Sequence, residues 1–194
     1  MRLIARLLLL SLLATTLGGC AAVVVGGAAA TGAVVAHDRR TTGTFIEDQE
    51  IYLKALQLMN DQPAIKEQSN ITITPYNLQV LLTGQAASDA VSQQFASLVA
   101  QIPRVRKVFN EVQTGAEATW SEEADDAYLT SKVKIALADV GIDGFDPLRV
   151  KVTSAQDTVY LMGLLTRAEA QAVTDKVRYV GGVKRVVKLF EYLD

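Results

Sequence analysis

The stretch VLLTG at residues 80–84 returns as VYLMG at 159–163, and ITIT at 71–74 returns as VKVT at 150–153, both 79 residues later. Further along, VRKV at 105–108 returns as VKRV at 183–186, one residue closer. Upstream, Ile51, Ala55 and Met59 answer to Leu129, Val133 and Leu137. A chain that repeats at such a period folds as copies of one unit. Two copies are expected, at 47–114 and 125–194, with residues 115–124 as the linker between them.

Each copy reads as helix, strand, strand, helix, strand. In the second, Leu129, Val133, Ala136, Leu137 and Val140 recur at helical spacing. Thr166-Arg167-Ala168-Glu169 is a capping box that opens the next helix. The runs at 79–83 and 158–162 alternate as strands do, with Pro75, Asn77 and Asp157 ahead of them as turn formers. Gly84 and Gly163 follow these strands, where a glycine marks a left-handed bend or a close approach of backbone. The fold class is therefore α+β: two tandem modules, each α-β-β-α-β, with a three-stranded mixed sheet covered on one face by two helices. A unit of about 65 residues buries a marginal core, which favours packing of the copies against each other. The first module's helix carries Ile51, Tyr52, Leu53, Ala55, Leu56, Leu58 and Met59 against only Lys54, Gln57 and Asn60. An apolar arc that wide predicts burial on two sides, the second against the neighbouring module.

Ahead of the repeats, Arg2 and Arg6 precede an apolar run from Leu7 to Leu17, then Gly18, Gly19 and Cys20, the one cysteine of the chain. A basic start, a short apolar stretch and small residues have the layout of an export signal, here residues 1–19. LGGC at 17–20 resembles the lipobox of bacterial lipoproteins, which implies cleavage before Cys20 and its acylation. A free thiol, half of an intermolecular disulfide or a small buried hydrophobe are the other readings of a lone cysteine. Three acyl chains, at about 0.8 kcal/mol per buried CH2, hold a protein to a membrane permanently. Ala21 stands where Asp would mark retention at the inner membrane, so the resemblance implies sorting to the outer one. Residues 20–46 then form an acylated start and linker. Within them, AAVVVGGAAATGAVVA at 21–36 reads as a spacer or as the continuation of one uncleaved membrane span, and HDRRTTGT at 37–44 as polar linker.

The formal charge is −2, and −4 once Arg2 and Arg6 leave with the leader, which gives no support to a nucleic-acid role. His37 is the one histidine and Cys20 is committed to acylation, so neither a Ser-His or Cys-His nucleophile nor a Cys/His zinc site can form within the modules. Asp139, Asp143 and Asp146 lack EF-hand spacing and read as a turn. Glu122, Glu123, Asp125 and Asp126 read as charges at a helix amino end. The expectation is a protein with no catalytic residues, metal or cofactor. A cleft holding two acids with shifted pKa values would point instead to a carboxylate enzyme. GVKRVVK at 182–188 sets Lys184, Arg185 and Lys188 on the last strand, to guard a sheet edge or to meet a headgroup or partner.

The element order, the hydrophobic-Leu-x-Gly signature after the second strand and Val-x-x-Val at the third resemble the BON domain. VYLMGLLTRAEA at 159–170 and GGVKRV at 181–186 carry the likeness most specifically. Two such modules behind a lipobox resemble the dual-BON outer-membrane lipoproteins. The resemblance implies a lipid-anchored protein at the outer membrane, facing the periplasm, that binds phospholipid, supports envelope integrity and gathers at division sites. Its expected partners are anionic phospholipids of the inner leaflet of that membrane and the outer-membrane assembly machinery. The rival is a periplasmic scaffold that binds an envelope assembly protein.

On the first helix of the second module, the core stripe leaves Tyr128 and Ile135 roughly a third of a turn from its centre, with Lys132 between them. An aromatic, an aliphatic and a lysine outside the core suit a lipid interface; packing against the other module is the alternative. The family's Asp-x-aromatic-aliphatic match implies lipid contact at Tyr128 with Leu129 beside it, so the expected lipid-binding set is Tyr128, Leu129, Lys132 and Ile135. Trp120 reads as a linker residue that dips into the interface or packs between modules. The first module is then the dock and the second the lipid reader.

Overall fold

The computed structural model describes residues 38–194, so Cys20, His37 and the leader lie outside the described residues. The first copy contains helix α1 (Thr42–Asn60), one-turn helix α2 (Pro63–Lys66), strands β1 (Ser69–Tyr76) and β2 (Gln79–Ala86), helix α3 (Asp89–Ala100), and short strands β3 (Lys107–Asn110) and β4 (Gln113–Thr114). The second contains α4 (Trp120–Leu137), a 3-10 turn (Pro147–Arg149), β5 (Val150–Ala155), β6 (Thr158–Leu165), α5 (Arg167–Val177) and β7 (Arg185–Tyr192). Helix α1 starts inside the segment read as linker, because the Thr41 hydroxyl accepts from Thr44 N–H and caps it early.

In each copy the first two strands are antiparallel, joined by two residues at positive φ: Asn77 and Leu78, then Gln156 and Asp157. The third strand runs parallel to the central one, which makes both sheets mixed. In the first sheet that third position is shared: β3 pairs with residues 79–82 and β4 with 85–86. Glu111 and Val112 step out between them, where Asn110 Oδ1 accepts from Val112 N–H at 3.3 Å. In the second sheet β7 pairs unbroken over residues 185–192.

The central strands alternate between two apolar surroundings. Val80 and Leu82 pack beneath α1 and α3 with Ile51, Ala55, Phe95 and Val99, and Val159, Leu161 and Leu165 do the same with Leu129, Val133, Leu137 and Val173. The residues between them point the other way. Tyr76 and Leu81 meet Tyr160 and Met162, all at most 4% exposed, flanked by Phe109, Val187 and Leu189. The modules thus join through the uncovered faces of their sheets. This corrects the expectation that α1 docks the neighbour: Ile46 and Leu53 on that helix are 62% and 63% exposed. Strands apolar on both faces need cover on both, and a second sheet supplies more contact than the flank of a helix.

Polar pairs rim this seam. Glu191 accepts from Asn77 Nδ2 and Arg106 Nη2, both at 2.6 Å, and Arg185 reaches Glu111 at 3.2 Å. Residues 39–46 of the supposed linker belong to the folded unit, which spans Arg39 to Asp194. Arg39 forks onto Glu169 at 2.6 and 2.8 Å and donates to the Leu164 carbonyl. Arg40 lies 4.0 Å from the Tyr76 ring centroid and pairs with buried Asp48 at 2.6 Å. Asp48 also accepts from the N–H groups of Asn77 and Leu78, fixing α1 to its hairpin. Asp126 does the equivalent for α4, accepting from Gln156 N–H. The Arg39 hydrogen bond holds the Glu169 carboxyl down at about 2, helped by the Thr166 N–H and against the opposing effect of burial.

Candidate functional site

Helix α4 starts with a full capping box: the Thr119 hydroxyl accepts from Glu122 N–H, and the Glu122 carboxylate accepts from Thr119 N–H. Trp120 is therefore the first residue of the helix, a correction to its placement in the linker. At 90% exposure it takes no part in packing between modules.

Leu129, Val133 and Leu137 turn inward onto the sheet, which fixes what the opposite side shows. Tyr128 is 66% exposed and Ile135 is 75% exposed. At about 100° per residue, Trp120, Ala124, Tyr128 and Ile135 fall within an arc of roughly 80°. Lys132 borders it: its ammonium lies 5.3 Å from the Tyr128 ring centroid and donates to the Gly181 carbonyl. That bond leaves two ammonium protons for a further acceptor. The structure thus brings Tyr128, Lys132 and Ile135 to one surface and adds Trp120. It withholds Leu129, which is 5% exposed within the core, so the inclusion of Leu129 in the lipid-facing set is corrected.

The corresponding surface of the first module is different. Residues 78 positions earlier are Thr42, Glu50, Lys54 and Gln57, and Glu50 occupies Lys54 at 2.7 Å. No aromatic side chain stands among those four.

The two glycines serve geometry. Both lie inside their strands rather than beyond them. Gly84 sits at φ +110°, and a Cβ there would come within 2.1 Å of the Asn70 carbonyl oxygen. Gly163 has an ordinary backbone, but its Cβ would approach the Arg149 carbonyl to 2.8 Å.

Charged groups elsewhere are largely paired. Lys184 lies one residue ahead of β7, not on it as expected, and holds Asp157 at 2.8 Å, while Arg185 is engaged at the seam, so two of these three cations have local partners. Asp146 caps the 3-10 turn through Leu148 N–H. Asp139 and Asp175 share an open groove of about 290 Å³ with Lys176. The hydrogen bond from Lys176 lowers the Asp139 pKa, and those from Gln171 and Arg178 lower that of Asp175. Both are ionised at neutral pH, so the pair lacks the split between acid and base that carboxylate catalysis uses. Among the described residues no three metal-ligating side chains converge, and no helix is long and apolar enough to cross a membrane.

The chain is 33% identical over 163 residues to the outer membrane lipoprotein DolP of Haemophilus influenzae, covering 84% of this chain and 83% of that protein. It is 29% identical over 156 residues to a 21 kDa hemolysin of Actinobacillus pleuropneumoniae, covering 80% and 79%. A solved structure of CdsD, described as a structural protein of the type III secretion system of Chlamydia trachomatis, aligns with a TM-score of 0.29 at 13% identity, covering 71% of this chain and 92% of that one. The BON domain model matches residues 47–116 and again 125–194. A repeated helix-over-sheet unit, matched twice by one family model across most of its length, makes this chain a member of the BON domain family, with two BON domains in tandem.

Proposed function

We propose that this protein is an outer-membrane lipoprotein, anchored by acylation of Cys20, whose second BON domain binds anionic phospholipid through Tyr128, Lys132 and Ile135, with Trp120 at the helix start. In that role it supports the integrity of the envelope. The outer-membrane assignment draws on the name of the Haemophilus relative and on the lipobox-like residues 17–20. The lipid assignment rests on one observation: α4 turns an aromatic and aliphatic stripe to solvent, bordered by a lysine whose ammonium meets a carbonyl instead of a carboxylate. Rings and aliphatic groups at such a place enter the headgroup layer while the ammonium meets phosphate. Each lysine near an anionic surface contributes about 1 kcal/mol. Attachment at Cys20 raises the effective concentration of the domain at the bilayer, so a weak patch is enough to orient it.

Sedimentation of the folded unit, residues 39–194, with phosphatidylglycerol vesicles at low salt is the test. Binding should fall about tenfold or more in the Tyr128→Ala, Lys132→Glu double variant, and should weaken as salt rises. A unit that ignores these vesicles, or a double variant that binds as the parent does, removes the lipid reading and leaves the scaffold. Three acyl chains on Cys20, detected by mass spectrometry of the native protein, are the expected sign of the anchor.

A further inference from the structure

The turn between α5 and β7 stands directly beside α4. Its Gly181 carbonyl accepts from Lys132, and a Cβ on Gly182 would sit 3.4 Å from the Leu129 side chain. Gly182 adopts φ +102°, a conformation that lets the backbone turn this close to the helix. Two residues before Gly181, Tyr179 is 82% exposed. Its ring lies 5.6 Å from the Arg178 guanidinium carbon, as the Tyr128 ring lies 5.3 Å from the Lys132 ammonium. Two cation-capped tyrosines therefore flank a single lysine-to-carbonyl contact. Arg178 also bonds Asp175 at 2.7 Å through Nη1, which offsets part of its charge and leaves Nη2 and Nε to other acceptors.

A lone exposed tyrosine needs no explanation. This one stands on the turn that Lys132 holds beside the exposed stripe of α4, and the equivalent residue of the first domain is Gln101. Geometry adds a second reason. Trp120 to Ile135 spans about 22 Å along the axis of α4, and a helix that lies on a surface by one stripe alone is free to roll. A contact off the axis stops the roll.

We infer that Tyr179 and Arg178 form a second insertion point for the same anionic bilayer, so that the domain grips lipid on α4 and on the α5–β7 turn together. This rests on the reading of α4 as lipid-facing. The chain has one tryptophan, which allows the two points to be read separately. The full chain carrying Trp120→Phe receives either Tyr128→Trp or Tyr179→Trp and is incorporated into phosphatidylglycerol and phosphatidylethanolamine vesicles containing lipids brominated on their acyl chains. Quenching and a blue shift are expected at both positions. Quenching in the Tyr128→Trp protein alone overturns the second insertion point and leaves α4 as the lipid contact. Quenching in neither overturns both. In a separate measurement on the folded unit without its anchor, residues 39–194, Tyr179→Ser should weaken vesicle partitioning about three- to tenfold and Tyr179→Phe should not, with the unfolding midpoint unchanged in both. A serine variant that partitions as the parent does also overturns the inference.

Discussion

The second domain turns Trp120, Tyr128, Ile135 and Tyr179 to solvent, where the first domain has Thr42, Glu50, Gln57 and Gln101. The first keeps two exposed aliphatics of its own, Ile46 and Leu53, but the Glu50–Lys54 ion pair stands on the same stretch of helix. Beneath these surfaces the copies agree closely. Ile51 and Leu129, Ala55 and Val133, and Asp48 and Asp126 do the same work in the two halves. Duplication preserved what packs and what ties helix to hairpin, and released what faces out. Function in such a pair is therefore sought where the copies disagree, since agreement reports only the fold.

The sharpest test of that division concerns the glycines. Gly84 combines a left-handed backbone with a carbonyl that leaves no room for a methyl group, whereas Gly163 has only the crowding. Gly84→Ala should lose about 3 kcal/mol or more and Gly163→Ala about 1–2 kcal/mol in denaturant unfolding. Equal losses would break the claim that the first copy is the more strained at this position.

Next in size is the Arg39 clasp, which the second domain has through Glu169. Arg39→Ala should cost about 2 kcal/mol at neutral pH, from the loss of a forked charge-assisted bond to a largely buried carboxylate. The carboxyl falls from 4.5 to about 2 in the folded state, so its contribution is complete above pH 4.5 and disappears as pH drops toward 2. Stability measured across that window should fall less steeply in Arg39→Ala than in the parent.

The smallest effect is a gain. Arg104 holds φ +74° at the position that Gly182 occupies in the second copy. Arg104→Gly relieves that strain but loses an exposed ion pair to Glu47 at 2.9 Å. The net expectation is about 0.5 kcal/mol of added stability, read from the denaturation midpoint.

Much of this was legible in the chain. The repeat and the box at Thr166 specified two mixed-sheet modules, because caps and periodicity are local signals. The box Thr119-x-x-Glu122 was equally present, and it places Trp120 and the acidic run after it inside the helix rather than ahead of it. Helical periodicity also placed Leu129 inside, and that geometry prevailed over the family pattern that drew it outward. The runs at 80–82 and 159–162 do not alternate as expected but are apolar without a break, the mark of strands buried on both faces, which is how the sheets meet. Arg39 was not legible. Its partner lies 130 residues away, and an arginine in a polar stretch carries no trace of such a distant carboxylate.

Arg39 and Arg40 stand next to each other yet bind different halves of the molecule, one to Glu169 and the other to Asp48. A mechanical load arriving along the backbone meets Arg39 first, which passes it to the second domain through Glu169, before Arg40 passes the remainder to α1 through Asp48. Pulling from the amino end therefore breaks the guanidinium clamps in series, Arg39 first and Arg40 second, and strains the second domain before it strains the first helix.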